Sequence, residues 1–337
     1  MITIALDAMG SDQAPRPDVE GAFLAAREYN VRVQLVGQPA ALRAEVARHG
    51  KRAANVEVIA ANDVITMRDA PMQAYRRKKE SSAHVAARLV RDGKAAALVS
   101  AGNTGAVMAV ARFTLGMLPS VARPALAAPF PTARGGACVL IDVGANVDSR
   151  PAHLVQFAVM GEIYYRAIFG TRRPRVALLS IGEEEMKGNE LVRETFNRLK
   201  DMPLHFTGNV EGRDVFAGDV DVIVCDGFIG NIALKISEGL AQHIATLLKQ
   251  ELKRTVTAQL GAVLSRSAFQ EFKKRTDYSE YGGVPLLGVK SPTVIAHGRS
   301  NANAIKNAIR VAAELVRGKV NEKIEQELRL PAVRAAV

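Results

Sequence analysis

Four short segments combine glycine with small polar residues, and each follows an apolar run of the chain. They lie at 100–105, 180–189, 225–231 and 297–301. Glycine lets the backbone approach a ligand closely, while Asn, Ser and Thr supply short neutral hydrogen-bonding groups. Several such segments at the strand ends of one sheet would form a concave pocket lined by polar groups. We therefore expect an α/β enzyme that handles a phosphate-like anion.

Short apolar runs alternate with longer amphipathic patterns over most of the chain. Continuous β-branched runs are typical of parallel strands that are buried on both faces, and helical spacing of apolar residues predicts the helices between them. The predicted strands cover 3–6, 32–36, 56–59, 96–99, 137–142, 175–180, 204–207 and 220–225. The predicted helices cover 17–29, 40–49, 82–91, 151–169, 189–201, 231–249 and 301–317. This order predicts a sheet with helices on both faces.

The segment from about 240 to 276 keeps a helical pattern with few turn signals, and we expect it to form a helical arm that projects from the sheet. Either it contacts a second subunit or the core, or its basic amphipathic tip touches a membrane surface. The candidate contact residues are Lys253, Arg254, Leu260, Leu264 and Arg266. Glycines and a proline within 281–288 predict a shaped loop. We treat 1–330 as one large α/β catalytic domain and 331–337 as a short tail.

The composition narrows the classes of partner. Lys and Arg exceed Asp and Glu by 45 to 34, which gives a formal net charge of +11 and favours acidic partners. Only 5% of the residues are aromatic and Trp is absent, so a stacking platform for nucleic acid is not expected. Cys138 and Cys225 lie in apolar runs, which favours buried thiols and a reducing cytoplasm. The first residues are typical of a strand and not of a signal peptide.

Several common catalytic motifs are missing from the sequence. It contains neither a G-x-G-x-x-G after a strand, nor a Walker P-loop, nor a G-x-S-x-G elbow. The six histidines are scattered at 49, 84, 153, 205, 243 and 297, without the spacing of metal ligands. We therefore expect neither a metal nor a cofactor.

Taken together, the motifs resemble the phosphate acyltransferase family of bacterial phospholipid synthesis. They are DAMGSD at 7–12, MRDAP at 67–71, RKKESS at 77–82, SAGNTGA at 100–106, RPA at 123–125, DVGAN at 142–146, KGN at 187–189, CDGFIGN at 225–231 and HGRSN at 297–301. They span nearly the whole chain and are specific as a set. The sequence departs from the family at Ser11, where the family pattern has a second glycine.

The resemblance implies a three-layer α/β/α sandwich like the isocitrate and isopropylmalate dehydrogenases and the phosphotransacetylases, working as a homodimer. It implies transfer of a long-chain acyl group from acyl carrier protein to inorganic phosphate. The acyl phosphate would then pass to a membrane glycerol-3-phosphate acyltransferase. A cytoplasmic protein that associates peripherally with an anionic membrane is implied, without nucleic acid as a partner. The basic arm would also serve to attract the acidic carrier.

We assign roles to residues of the four segments as hypotheses. The catalytic candidates are Lys187, Asp226, Asn231 and His297; the candidates for binding phosphate or substrate are Ser100, Gly102, Asn103, Thr104, Gly105, Asn189, Gly227, Gly298, Ser300 and Asn301. Lys187 would hold the phosphate or the oxyanion, and His297 would protonate the departing thiolate. The alternatives are a solvated surface lysine, ordinary capping residues and a buried structural histidine. Met72, Met108, Phe130, Phe228 and Ile229 are candidates for an acyl channel.

Other functions stay open on the sequence alone. An acyl-CoA:phosphate acyltransferase, similar to phosphotransacetylases, would use the same chemistry with a different carrier. An oxidoreductase could use a dehydrogenase-like fold without the usual dinucleotide motif. A non-catalytic scaffold could dock on membranes through the arm.

Overall fold

The chain is built around one mixed sheet. The computed structural model describes residues 1–49, 55–276, 280 and 282–336. The strands are β1 (Ile2–Asp7), β2 (Val31–Gly37), β3 (Val56–Ala60), β4 (Ala97–Ser100), β5 (Ala125–Pro131), β6 (Ala137–Ile141), β7 (Arg175–Leu179), β8 (His205–Val210), β9 (Val222–Val224), β10 (Val284–Leu287) and β11 (Thr293–Ile295). Their order across the sheet is β3-β2-β1-β4-β11-β10-β5-β6-β9-β7-β8. The eight predicted strands are confirmed, with small differences at their ends.

The sheet reverses direction near its middle. Strands β3, β2, β1, β4 and β11 run parallel to one another. Strand β10 is antiparallel to both β11 and β5, and β5 is antiparallel to β6. Strands β6, β9, β7 and β8 are again mutually parallel. Three antiparallel steps separate β11 from β6, so the two parallel groups point in opposite directions.

Helices cover both faces of this sheet, as predicted. They are α1 (Arg16–Glu28), α2 (Pro39–Ala47), α3 (Pro71–Arg77), α4 (Ser82–Arg91), α5 (Thr104–Val110), α6 (Pro151–Phe169), α7 (Glu190–Leu199), α8 (Gly227–Arg254), α9 (Val256–Leu264), α10 (Arg266–Thr276), α11 (Ala302–Arg317), α12 (Val320–Leu328) and α13 (Pro331–Ala336). One face packs against α1, α6 and α11 through residues such as Phe157 and Ile305. The other face packs against α4 and α5 through residues such as Ala86 and Val107. The likeness to the isocitrate dehydrogenase fold stays a prediction.

Three strands were not predicted, and proline explains two of the omissions. Strand β5 contains Pro129 and Pro131, and β10 contains Pro285, which lies within the segment predicted as a shaped loop. Proline lacks an N–H donor, so its presence in a sequence predicts the absence of a central strand. The loop prediction is therefore wrong for 284–287, and Tyr281 lies outside the described residues. Strand β11 has only three residues, Thr293–Ile295, too few to show a period.

Helices α8, α9 and α10 form the helical segment predicted near 240–276. Lys253, Arg254, Leu260, Leu264 and Arg266 are all exposed, and no residue of α9 is buried. Within the described ranges, no helix combines the length and the hydropathy needed to cross a membrane. The predicted tail contains α13, whose Val333 is buried in the core. The division into one domain with an arm stays a prediction.

Candidate active site

The four glycine-containing segments divide between the two sides of the sheet at which strands begin and end. We call these two sides the edges of the sheet. The segments after β4 and β11 lie at one edge, where Ala296 N donates to Ser100 O at 2.8 Å. The segments after β7 and β9 follow strands that run the other way, so they lie at the opposite edge. The four segments do not share one edge, because the central antiparallel strands reverse the direction of the second half.

Each of the four segments contains a residue that caps the following helix. The side-chain oxygens of Asn103, Asn189, Asp226 and Asn301 accept hydrogen bonds from backbone N–H groups in the first turns of α5, α7, α8 and α11. Such caps are typical of Asn and Asp because they satisfy donors that the helix itself leaves unpaired. These four candidates therefore act as helix caps, and their roles in binding or catalysis stay predictions.

Asp7 organises the first edge. Asp7 is the last residue of β1, and its buried carboxylate accepts hydrogen bonds from Ser82 and from Ser100 Oγ, the latter at 2.7 Å. Ser100 Oγ in turn accepts from Gly102 N at 3.1 Å. Burial raises the pKa of Asp7, and the hydroxyl donors counteract that rise. Ser100 and Gly102 are therefore buried parts of a support behind the segment, and neither faces solvent.

Asn103 ties this edge to the 67–69 loop. Its Nδ2 donates to Met67 O at 3.2 Å and to Asp69 O at 3.1 Å, while its Oδ1 caps α5. Thr104 is exposed at the first position of α5. A Cβ at Gly105 would meet the ring of Pro71 at 2.7 Å, so this glycine permits close packing of α3 on α5.

Ser11, the departure from the family pattern, also has a structural partner. Its hydroxyl donates to Asp18 Oδ2 at 2.5 Å. Burial raises the pKa of Asp18 to about 7, and the nearby charge of Asp7 adds to the rise. Ser11 is not among the non-glycine residues with positive φ, so the replacement of glycine introduces no backbone strain there.

The His297 segment lies beside the Asp7 support. Asp12 N donates to Gly298 O at 2.8 Å, and a Cβ at Gly298 would meet the Met67 side chain. Burial lowers the pKa of His297, and the positive charge of Lys235 lowers it further. His297 Nδ1 accepts from Arg299 N at 3.2 Å, which places the proton of a neutral ring on Nε2. Ser300 is buried, and its Oγ has no hydrogen-bond partner among the described residues.

Asp142 organises the opposite edge. Its carboxylate follows β6, is fully buried, and accepts five hydrogen bonds between 2.7 and 3.2 Å. The donors are the backbone N–H groups of Leu126, Gly144, Ala145 and Asn146 and the Asn146 side chain. Burial raises the pKa of Asp142 and these donors counteract the rise. The bonds fold residues 142–146 into a tight loop against β5.

Helix α8 begins directly on this loop. Gly227 N donates to Asn146 O at 2.9 Å, and a Cβ at Gly227 would meet that same oxygen at 2.5 Å. A Cβ at Gly230 would lie only 1.9 Å from Asp142 O. Asn231 is exposed, and its side chain faces Gly144. The two glycines therefore seat the first turn of α8, with its cap Asp226, on the 142–146 loop.

Lys187 lies at the same edge as Asp226, because β7 is the neighbour of β9. It is exposed, and its backbone N donates to Glu184 O at 2.9 Å. No ion pair of Lys187 occurs within the described part of the chain. Behind it, Ser180 Oγ is buried without a partner among the described residues. The structure shows no contact between Lys187 and Asp226, so a joint catalytic role stays a prediction.

Two helices on one face connect the two edges. Helix α8 starts at the Asp142 edge, and its residues Glu238 and Gln242 line a cavity with His297 and Arg299. Twelve residues of helix rise about 18 Å, close to the roughly 17 Å length of a short strand. Helix α5 begins after Asn103 at the first edge, and its Met108 lines a second cavity together with Asn146 of the Asp142 edge. Helix α8 therefore connects the Asp142 edge with His297, and α5 connects Asn103 with the 142–146 loop.

The acyl-channel candidates separate in the structure. Met72 and Met108 line the second cavity. Phe130 is 5% exposed and packs edge-to-face on Phe216, so it belongs to the core and that candidate is wrong. Phe228 and Ile229 are exposed on the first turn of α8.

Sequence reasoning gave no role to the two buried aspartates at the centres of the edges. Asp7 and Asp142 share one signal: each is a charged residue that directly follows an apolar run, at 4–6 and at 137–141 respectively. No group of His, Cys, Asp and Glu able to hold a metal occurs among the described residues.

The comparison with protein families gives one match that covers almost the whole chain. The family is described as "Fatty acid synthesis protein", and its model matches residues 2–323. A phosphate acyltransferase from Koribacter versatilis is 59% identical over 333 residues, which is 97% of this chain and 93% of that protein.

Two solved structures show the fold at low sequence identity. A phosphotransacetylase from Streptococcus pyogenes superposes with a TM-score of 0.63 at 16% identity, covering 94% of both chains. A Salmonella typhimurium protein described as a 4-hydroxythreonine-4-phosphate dehydrogenase gives a TM-score of 0.52 at 14% identity, covering 94% of this chain and 99% of that one. Both support a mixed, mostly parallel α/β sheet.

Proposed function

The chain belongs to the phosphate acyltransferase family, and from this premise we propose that it transfers a long-chain acyl group from acyl carrier protein to inorganic phosphate. The observation that carries the proposal is 59% identity to a phosphate acyltransferase over nearly the full length of both chains. The product would be an acyl phosphate, which is an activated acyl donor for phospholipid synthesis.

The chemistry needs little from acid–base catalysis. A phosphate oxygen attacks the thioester carbonyl carbon, a C–O bond forms, the C–S bond breaks, and the sulfur leaves as a thiolate that takes up a proton. Phosphate is already an anionic nucleophile near neutral pH, so the protein must desolvate it, orient it and stabilise the oxyanion. A thiolate with a pKa near 8.5, by analogy with cysteine, is an acceptable leaving group.

We assign the oxyanion or phosphate to Lys187 and to the start of α8. Lys187 is an exposed cation at the end of β7, beside the end of β9 where α8 begins. The N-terminus of a long helix favours anions through its dipole, although the N–H groups of its first turn already donate to Asn146 O, Asp226 Oδ1 and Asp226 O. Asp226 already uses Oδ1 to cap that helix, so we propose that it positions the first turn while Asn231 contacts substrate.

The structure argues for a modest role for His297. Burial and Lys235 hold its pKa below the ordinary value, so the ring is neutral at pH 7. A neutral imidazole is a weak acid, and it would donate a hydrogen bond to the sulfur more readily than a full proton. We therefore propose that His297 orients the thioester and that solvent supplies the proton.

We further propose that the chain acts as a homodimer at a membrane surface in the bacterial cytoplasm. Ile232, Ile236, Leu240, Ile244 and Leu247 form an exposed apolar stripe along α8, which supports contact with a second subunit. Val256, Leu260, Val263 and Leu264 of α9 are each more than 60% exposed, which supports contact with lipid. The basic residues beside them support attraction of an acidic carrier or of anionic lipid.

Hydroxylamine trapping of acyl phosphate tests the proposal. Long-chain acyl carrier protein and long-chain acyl-CoA are each incubated with phosphate and the purified protein. Turnover with acyl carrier protein supports the proposal. Turnover with acyl-CoA alone would identify acyl-CoA as the donor in place of acyl carrier protein. A folded sample that is inactive with both donors contradicts the activity.

A further inference from the structure

A cavity between α5 and the 142–146 loop combines cations with apolar side chains. We call it the α5 cavity; its volume is about 180 Å³. Its lining residues are Met72, Met108, Ala109, Arg112, Phe113, Arg123, Pro124, Ala145 and Asn146. None of them is acidic. It lies at the Asp142 edge, next to the loop on which α8 begins.

The two arginines of this cavity lack acidic partners. No ion pair of Arg112 or Arg123 occurs within the described residues. The guanidinium of Arg112 lies 5.4 Å from the ring centroid of Phe113, which holds it at the cavity wall. Arg123 and Arg150 also help to lower the pKa of the nearby His153, after burial. The positive charge of these two arginines therefore favours binding of an anion in the cavity.

The remaining walls are suited to an apolar segment. Met72 and Phe113 are 43% and 49% exposed, which leaves their surfaces available for contact. Methionine adapts its shape to irregular ligands. Asn146 donates through Nδ2 to Pro124 O and Asp142 Oδ2, and its carbonyl Oδ1 accepts no hydrogen bond from the described residues. That oxygen can accept from an amide N–H of a ligand.

Two simpler ligands fit this lining poorly. An acyl tail would leave two guanidinium groups desolvated without a counter-charge, which is unfavourable. Free inorganic phosphate would face methionine and phenylalanine on one side, where its oxygens have no donors. A ligand that joins a phosphate to a flexible arm with methylene groups and amides fits all of these walls. Its phosphate would contact the arginines, its methylene groups the apolar side chains, and an amide N–H Asn146 Oδ1.

We propose that the α5 cavity binds the phosphate end of a 4′-phosphopantetheine arm, with Arg112 and Arg123 on the phosphate and Asn146 Oδ1 on an amide. The arm is common to acyl carrier protein and to coenzyme A. The inference therefore rests on the proposed thioester chemistry, but not on the choice between the two carriers. Arg112 and Arg123 would determine specificity for the carrier arm, while the acyl group extends away from them.

Direct binding tests the proposal without turnover. Calorimetric titration compares 4′-phosphopantetheine with pantetheine, which lacks the phosphate, on the wild-type chain. We expect the phosphate to improve affinity about tenfold or more, as for one or two charge-assisted hydrogen bonds at a partly exposed site. Arg112→Gln and Arg123→Gln should each remove most of that preference. Arg172→Gln, an exposed arginine before β7 that does not line the cavity, is the matched control.

Steady-state kinetics separate the two possible sources of the phosphate. With acyl carrier protein as donor, Arg123→Gln should raise KM for the carrier about tenfold and leave KM for inorganic phosphate unchanged. Acyl-pantetheine, which lacks the phosphate, should be used equally well by the variant and the wild type. A rise in KM for inorganic phosphate alone would assign the cavity to the nucleophile and overturn the inference.

The outcomes also separate this inference from the proposed activity. Equal or undetectable binding of 4′-phosphopantetheine and pantetheine overturns the cavity assignment even if the enzyme is active. A wild-type chain that is inactive with both donors contradicts the proposed function, while a phosphate-dependent preference lost in Arg123→Gln still supports the cavity assignment. An equal loss in Arg172→Gln would show a general charge effect and overturn the assignment.

Discussion

Replacement of Asp142 by Asn removes acceptor capacity at the centre of the second edge without changing the side-chain volume. The carboxylate accepts three hydrogen bonds at Oδ1 and two at Oδ2, the latter from Asn146 N at 2.7 Å and Nδ2 at 2.9 Å. An amide keeps one acceptor oxygen, and its NH2 group faces donors at the other position. At least two buried donors therefore lose their acceptor, which costs about 1–3 kcal/mol each, or roughly 2–6 kcal/mol in total.

Urea unfolding followed by circular dichroism measures this loss. Asp142→Asn should lower the free energy of unfolding by the stated amount and also reduce acyl phosphate formation, because Asn146 O holds the first turn of α8 through Gly227 N. Asp148→Asn, an exposed residue a few positions along the same chain segment, is the matched control and should change little. A loss below about 1 kcal/mol in Asp142→Asn would refute the reasoning that five N–H donors depend on this carboxylate.

Three further predictions follow from other contacts. Lys187→Ala should reduce turnover about a hundredfold with an unchanged urea midpoint, because the side chain is exposed; a loss below about threefold contradicts its catalytic role. Gly230→Ala should lower the free energy of unfolding by about 1–3 kcal/mol or more, because a Cβ would lie 1.9 Å from Asp142 O. The control is Gly239→Ala on the same helix, where a Cβ meets nothing within 4 Å; it should raise the free energy of unfolding by about 0.5–1 kcal/mol. Equal effects of the two glycine variants would contradict the seating of α8 on the loop. Burial lowers the pKa of His84 from 6.5 to about 4, so between these pH values the unfolded chain binds a proton that the folded chain does not. As pH falls through this window, wild type should lose up to about 3 kcal/mol more than His84→Gln; parallel pH profiles of the two chains would show that this histidine is not the cause.

The strands with plain apolar patterns could be read from the sequence, and those with proline could not. Strands such as β6 and β9 are continuous apolar runs, and their burial on both faces follows from composition. Strand β5 pairs on both sides although it carries Pro129 and Pro131. Local propensity excludes such a strand, while tertiary packing tolerates it, because only a few N–H groups of the ladder are lost.

The placement of the candidate site could be predicted only in part. Strand, polar segment and helix follow one another as expected at 100–105 and 225–231, and in both segments the polar residue caps the helix. Hydrophobic periodicity does not record the direction of a strand. The reversal therefore depends on the pairing of β10 and β5, which the sequence did not reveal. For the same reason Asp226 and His297 lie at opposite edges although their segments look alike.

This reversal makes α8 the element that joins the two halves of the candidate site. The helix is fixed at one end by Asp226 and by two glycines that leave no room above the 142–146 loop. About three turns later its Lys235 and Glu238 set the charge around His297, with Lys235 lowering and Glu238 raising the pKa of that histidine. We expect a shift in the seating of the first turn to displace these charges relative to His297, because rigid secondary-structure elements carry coupling between sites. Substitutions at the Asp142 edge should therefore change the titration of His297 at the other edge, which NMR of the imidazole protons can follow in Asp142→Asn. An unchanged His297 pKa in a variant whose α8 start has moved would separate the two edges and assign the chemistry to one of them alone.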